Sequence, residues 1–244
     1  MDDAGQADRT VTHAMVLAAG LGTRMRHLSA DRPKPLVEVA GRTLLDRVLD
    51  RVAEAGIPTA VVNIHYMADA IEAALSDRTR PRIVFSDERD VLLETGGGIR
   101  RALPLLGPGP FLVQNSDCLW SERGNNNLKR LIGAWGGNRM DALLLVTPTE
   151  TCLGYDGRGD FVMDAAGRLS RRAAAATAPL VFTGASIAHP RLFDETPDGA
   201  FSLNVVWDRA IAAGRVFGVV MEGVWMHVGT PEAVAEAEDR LRND

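Results

Sequence analysis

Cysteine is scarce, with Cys118 and Cys152 the only two in 244 residues. Two are too few to suggest a disulfide framework. No apolar run approaches the roughly 20 residues that a membrane-spanning helix needs. The opening MDDAGQADRT is polar and acidic, unlike a signal peptide. A cytoplasmic protein is expected, with no membrane partner and a disordered tail over residues 1–12. A basic excess is missing too. The formal net charge is −5, which excludes a broad positive field for nucleic acid, so any anion-binding cations must act locally. Internal repeats are absent, and the alanine run 173–176 is the one low-complexity segment. What remains is ordinary globular composition, 46% hydrophobic and 24% charged. The length suffices to bury about three quarters of the unfolded surface.

The chain is organised around residues 14–35, AMVLAAGLGTRMRHLSADRPKP. Ala14 to Ala19 has the length of a buried strand. Gly20-Leu21-Gly22-Thr23 then turns, and the cations Arg24 and Lys34 follow. Glycines let backbone N–H groups approach an anion, and fixed cations neutralise it, so the stretch reads as a phosphate seat, the plainer alternative being a tight strand-to-helix turn with a solvated lysine after it. Two other glycine motifs are excluded. A Walker loop needs Lys-Ser or Lys-Thr after its last glycine, where Thr23-Arg24 stands. A dinucleotide fingerprint needs a third glycine, where Met25 stands. Lys34 lies between Pro33 and Pro35, and proline stiffens both itself and the residue before it. Such backbone suits a cation aimed at one charge.

LAAGLGTRM followed by RPKPLVEVAG resembles the signature of the sugar-1-phosphate nucleotidyltransferases, or NDP-sugar pyrophosphorylases. The likeness runs from about Ala14 to the end of the chain. It implies an α/β, Rossmann-like fold: a mixed, mostly parallel sheet flanked by helices. It also implies small-molecule partners, an NTP and a sugar 1-phosphate, with Mg2+ as cofactor. Monomer and homodimer are both open.

Taken in order, the patterning supports alternating strands and helices. Thr43 to Ala55 carries an apolar stripe of Leu44, Leu45, Val48, Leu49 and Val52 and is stopped by Gly56. Residues 58–64 and 82–86 read as strands, with 67–77 helical between them. Residues 111–114 and 141–147 are further strands, and 125–135 is a helix with Trp135 in the core. Residues 13–147 form the nucleotide-binding half, 148–229 the sugar-binding half, and 230–242 a C-terminal helix. In the second half, 154–162 and 179–188 read as strands separated by a hairpin-like turn at 164–167. A helix over 204–213 and a strand over 216–221 follow.

Glu94-Thr95-Gly96-Gly97-Gly98 opens a helix-like run. The glycines suit either a flat ligand lying on bare backbone or a flexible capping loop with Thr95 as N-cap. Asn115-Ser116-Asp117 ends a strand, where ligands bind in open α/β sheets, and Asp117 is the metal-ligand candidate. The family motif is usually Gly-Asp, so Ser116 is a departure.

The resemblance then assigns roles. Leu17, Ala18, Ala19, Gly20, Gly22, Thr23, Arg24, Glu94, Thr95, Gly96 and Gly97 contact the nucleotide, Arg24 through the β- and γ-phosphates. Lys34 sits by the α-phosphate and the sugar phosphate, and Asp117 holds the metal. Asn115, Gly159, Asp160, Thr183 and Gly184 contact the sugar. Most relatives carry a second acidic ligand where this chain has His227. Imidazole is a poor Mg2+ ligand and a better one for Mn2+, Zn2+ or Co2+. Three roles are open to His227: binding a softer metal, contacting phosphate while Mg2+ rests on Asp117, or marking a damaged site.

The expected reaction forms an NDP-sugar and pyrophosphate. ETGGG and GRGDF resemble the N-acetylmuramate-1-phosphate uridylyltransferases of peptidoglycan recycling. Mannose-1-phosphate guanylyltransferases share nearly the same glycine loop and Pro-Lys-Pro. A weakly catalytic binder of nucleotides or sugar nucleotides is the alternative of another class.

Overall fold

In the computed structural model, residues 10–23, 25, 31–122 and 124–242 are described. Most of the tail assigned to residues 1–12 lies outside them, as does Arg24. The first strand, β1 (His13–Leu17), is buried through its centre on both faces. It pairs in parallel with β4 (Thr59–Ile64) and β6 (Phe111–Asn115). β4 pairs in parallel with β5 (Arg82–Asp87). Every residue of β4 is buried, which is why TAVVNI is mostly apolar and shows no strict alternation, with Thr59 and Asn63 its two buried polar residues.

Beyond β6 the sheet changes character. β11 (Leu180–Ala188) runs antiparallel to β6 on one side and to β8 (Ala142–Pro148) on the other. β12 (Val216–Val220) then pairs in parallel with β8. The short hairpin β9 (Phe161–Met163) and β10 (Leu169–Arg171) completes a nine-stranded mixed sheet. Two small sheets lie apart from it. β2 (Glu38–Val39) pairs with β3 (Arg42–Thr43), and β7 (Cys118–Ser121) with β13 (Val224–His227).

Helices cover both faces, and the strand alternation decides which. Ala14, Val16, Ala60, Val62 and Leu112 pack with Leu45, Val48, Leu49 and Val52 of α1 (Leu44–Glu54). Met15, Val61, Phe111 and Val113 face the other way. They pack with Ile99, Ala102 and Leu106 of α3 (Glu94–Leu106) and with Val206 and Trp207 of α5 (Leu203–Ala212). The helix α2 (Ala68–Ala74) and α4 (Asn127–Ala134) join the first layer through Ile71, Leu128 and Leu131; Trp135 is buried there as expected. Thr43 caps α1, its hydroxyl accepting the Asp46 N–H. The C-terminal α6 (Pro231–Arg242) covers β2 and β13 through Val234, Ala237 and Leu241. No helix among the described residues is long and apolar enough to cross a membrane.

Two expectations change. Residues 154–160 are loop, and only Phe161–Met163 is strand. Gly154 and Gly159 take left-handed backbone, and the Gly159 N–H donates to the Tyr155 hydroxyl at 3.0 Å instead of to a neighbouring strand. Thr95 is not the N-cap of α3, whose cap position is Leu93. The Thr95 hydroxyl instead accepts the Leu203 N–H at 2.8 Å, tying α3 to α5.

Candidate active site

The C-terminal ends of β1, β4 and β6 open onto a cavity of about 450 Å³. β1 has β4 and β5 on one side and β6 on the other, so this is where strand order reverses and ligands bind in open α/β sheets. The glycine loop from Leu17 to Thr23 forms one wall. Lys34 and Pro35, Asn63, Leu92, Glu94, Thr95 and Asn115–Asp117 form the rest. Most residues assigned to the nucleotide, together with Lys34, Asn115 and Asp117, thus meet in one place. Leu21, Pro35, Asn63, Leu92 and Ser116 line it without having been assigned a role there. Asn63 did carry a signal, as the one amide in an otherwise apolar strand end.

Lys34 reaches the cavity from a single 3-10 turn, Lys34–Leu36. Its Nζ lies 2.7 Å from Asp117 Oδ2, with the two side chains 11% and 24% exposed. Gly22 explains how the loop closes on this lysine. Its φ is +65°, and a Cβ there would stand 2.8 Å from Lys34 Cβ. Only glycine takes that conformation and that approach together. Burial works against ionisation of Asp117, but the Lys34 charge and hydrogen bond, with His227 and the Cys118 thiol, hold its pKa below the ordinary value. Cys118 itself is pushed well up by burial and by Asp117, so it stays a thiol. Ser116 has a plain structural reason: its hydroxyl donates to the Leu17 carbonyl at 2.7 Å, pinning the end of β6 to the end of β1.

Behind Asp117 lies a second layer. His227 stands opposite Cys118 in the β7–β13 ladder and stacks on Trp225, ring centroids 5.6 Å apart. Trp225 Nε1 donates to the Thr183 carbonyl at 2.8 Å. Thr183 is fully buried, its hydroxyl given to the Leu145 carbonyl, and Gly184 packs against the Cys118 sulfur. Neither lines the cavity. Asp160 does not line it either; its carboxylate accepts the Phe182 N–H at 3.0 Å, while Gly159 closes on Ala178.

The triple glycine serves packing. Gly96 and Gly97 give their N–H groups to the Phe201 carbonyl at 2.8 and 3.1 Å. A Cβ on Gly96 would collide with the Phe201 ring, and one on Gly97 with the Gly199 carbonyl. Both glycines lie outside the cavity lining, and Glu94 and Thr95 alone reach it from this motif. Glu94 does so with φ +58°, unusual for a residue with a side chain.

The profile of the MobA-like NTP transferase domain matches residues 14–196. The chain belongs to that family.

Among curated relatives of this NTP transferase, an N-acetylmuramate alpha-1-phosphate uridylyltransferase of Caulobacter vibrioides is 51% identical over 232 residues, 93% of this chain and 96% of the relative. Its counterpart in Neisseria meningitidis is 34% identical over 92% of this chain and 96% of its own. A UDP-glucose pyrophosphorylase solved with UDP-glucose superposes with a TM-score of 0.79 at 16% identity, covering 96% and 99% of the two chains. That likeness shows the fold.

Among the described residues of this family member, no group of three or more His, Cys, Asp or Glu side chains could hold a metal ion. Mg2+ does not require one. It takes one or two carboxylates, with substrate phosphates and water completing the octahedron. Asp117, held ionised at the cavity wall, fits that pattern.

Proposed function

We propose that this chain transfers the uridylyl group of UTP to N-acetylmuramate 1-phosphate, releasing pyrophosphate. The observation that carries this reading is the identity of 51% to the Caulobacter enzyme across nearly the whole of both chains. A phosphate oxygen of the sugar 1-phosphate attacks the α-phosphorus of UTP. The bond from that phosphorus to the bridging oxygen of the β-phosphate breaks, and the pyrophosphate departs with its electron pair. The nucleophile is already an anion, so no general base is required. The protein's work is positioning and charge neutralisation.

Lys34, on stiff backbone and paired with Asp117, is placed to receive the phosphate charge at the reacting centre. The loop from Gly20 to Thr23 lines the cavity, and its backbone N–H groups would be further donors to phosphate. Arg24, given the leaving phosphates by resemblance, lies outside the described residues. Mg2+ held by Asp117 would supply additional neutralisation of the phosphates. His227 lies in the layer behind Asp117 and does not line the cavity, so it is given an indirect part, through its charge on Asp117, and no direct contact with phosphate.

Pyrophosphate release from UTP, GTP, dTTP and CTP, each crossed with N-acetylmuramate, N-acetylglucosamine, mannose and glucose 1-phosphates, tests the reading. The strongest rate is expected with UTP and N-acetylmuramate 1-phosphate. A stronger rate in any other well overturns the substrate assignment and leaves nucleotidyl transfer intact.

A further inference from the structure

Glu88 is a fully buried carboxylate that the proposed chemistry does not use. It follows β5 directly, and its neighbours explain its place. Asn63 stands beside Leu17 in the β1–β4 register and beside Ser86 in the β4–β5 register. Its Oδ1 accepts the Ala18 N–H at 2.8 Å, and its Nδ2 donates to Glu88 Oε1 at 2.8 Å. The Ala18 amide can only donate, so the orientation of the Asn63 amide is fixed by the chain on one side and by the carboxyl on the other. Gly98 of α3 leaves room for both groups. A Cβ there would stand 2.7 Å from Glu88 Oε1 and 2.9 Å from Asn63 Nδ2.

We propose that Asn63 and Glu88 are positioning residues of the nucleotide seat, a buried relay that sets the backbone where β1 leaves the sheet and becomes the glycine loop. Ala18 is the first residue past β1, and both it and Asn63 line the cavity. Without the relay, the Ala18 N–H would be left to find its own partner at the point where the chain must turn under the phosphates. The main chain of Glu88 also braces the end of β4. Its N–H donates to the Ile64 carbonyl at 2.8 Å, and its carbonyl pairs with His65 Nδ1 at 2.6 Å. Burial works against ionisation of the Glu88 carboxyl, and hydrogen bonds from Asn63 and the Leu93 N–H oppose that effect. The carboxyl is thus held from two sides, by Asn63 near the end of β4 and by the cap residue of α3.

The inference rests on nucleotide binding, common to the family, and not on the sugar assigned above. It is tested by calorimetric titration of the full chain with UTP and, in parallel, GTP. Asn63→Asp keeps an acceptor for Ala18 but sets two carboxylates against each other. It is expected to weaken binding of the preferred nucleotide about tenfold, the scale of one disrupted buried hydrogen bond. Asn63→Asp combined with Glu88→Gln reverses the second bond, the introduced side-chain amide now donating to the new carboxylate, and is expected to recover most of that loss. In steady state, the KM for nucleotide should move and recover in step, with the KM for the sugar phosphate little changed. Wild-type affinity in folded N63D, or no recovery in the folded double variant, overturns the relay. If N63D does not purify, the double variant carries the test: it must purify folded and bind nucleotide within an order of magnitude of wild type, or the relay is wrong.

Discussion

At the scale of single residues, the site rests on Lys34 and Asp117, joined at 2.7 Å across a gap of more than eighty residues in the chain. Both were legible in the sequence because each is announced by its surroundings, Lys34 by two prolines and Asp117 by its place at a strand end. Lys34→Ala is expected to lower turnover by about two to three orders of magnitude, the scale of removing one group that stabilises transition-state charge. The variant should stay folded, because Lys34 belongs to none of the apolar clusters. Pyrophosphate release beside a thermal melt checks both halves. Near-normal turnover would take from Lys34 the role assigned to it. Thr183 and Gly184 were not legible in this way. The hydroxyl of Thr183 is used by Leu145 and the surface of Gly184 by Cys118, and only the folded chain brings those partners near.

At the scale of elements, strand and helix positions followed closely from apolar periodicity, while the glycine-rich stretches did not. A glycine permits either a ligand or a neighbouring backbone to come close, and sequence does not say which. In ETGGG the neighbour is the chain around Phe201. The short strands β7 and β13 escaped because their partners, each other and for β13 also Leu153, lie far away in sequence. A charged clamp also holds elements together. Asp141, just before β8, lies 2.5 Å from Arg191 after β11 and 2.7 Å from Arg215 before β12. Burial opposes its ionisation, but hydrogen bonds from Arg215 and Arg191 outweigh burial and hold its pKa below the ordinary 3.8. The lowered native value means that the clamp's contribution is full above the unfolded-state pKa and is lost as pH falls through the native one. Asp141→Asn is therefore expected to cost about 2–3 kcal/mol near neutral pH, with charged hydrogen bonds lost on two sides. In urea unfolding, the gap from wild type should narrow below about pH 4. A gap independent of pH would show that the carboxylate charge is not what holds the clamp.

At the scale of the whole molecule, the mixed sheet positions the candidate site at the C-terminal ends of β1, β4 and β6, in its parallel part. That much was expected from strand–helix alternation. The antiparallel insertion of β11 between β6 and β8 was not, because an apolar run of its length fits either direction. If Asp117 holds the cation, removing divalent ions with EDTA should abolish pyrophosphate release, and Mg2+ should restore it. Undiminished release in EDTA would exclude the metal role given to Asp117. The pairing of β7 with β13 joins two segments that lie far apart in the chain. The glycine loop, Lys34 and Asp117 all precede β7, whereas the strand that stands opposite Cys118 comes only after β12. The wall behind Asp117 is therefore a product of the tertiary fold and not of local sequence, and any change that parts β7 from β13 would loosen the carboxylate from behind without touching the cavity itself.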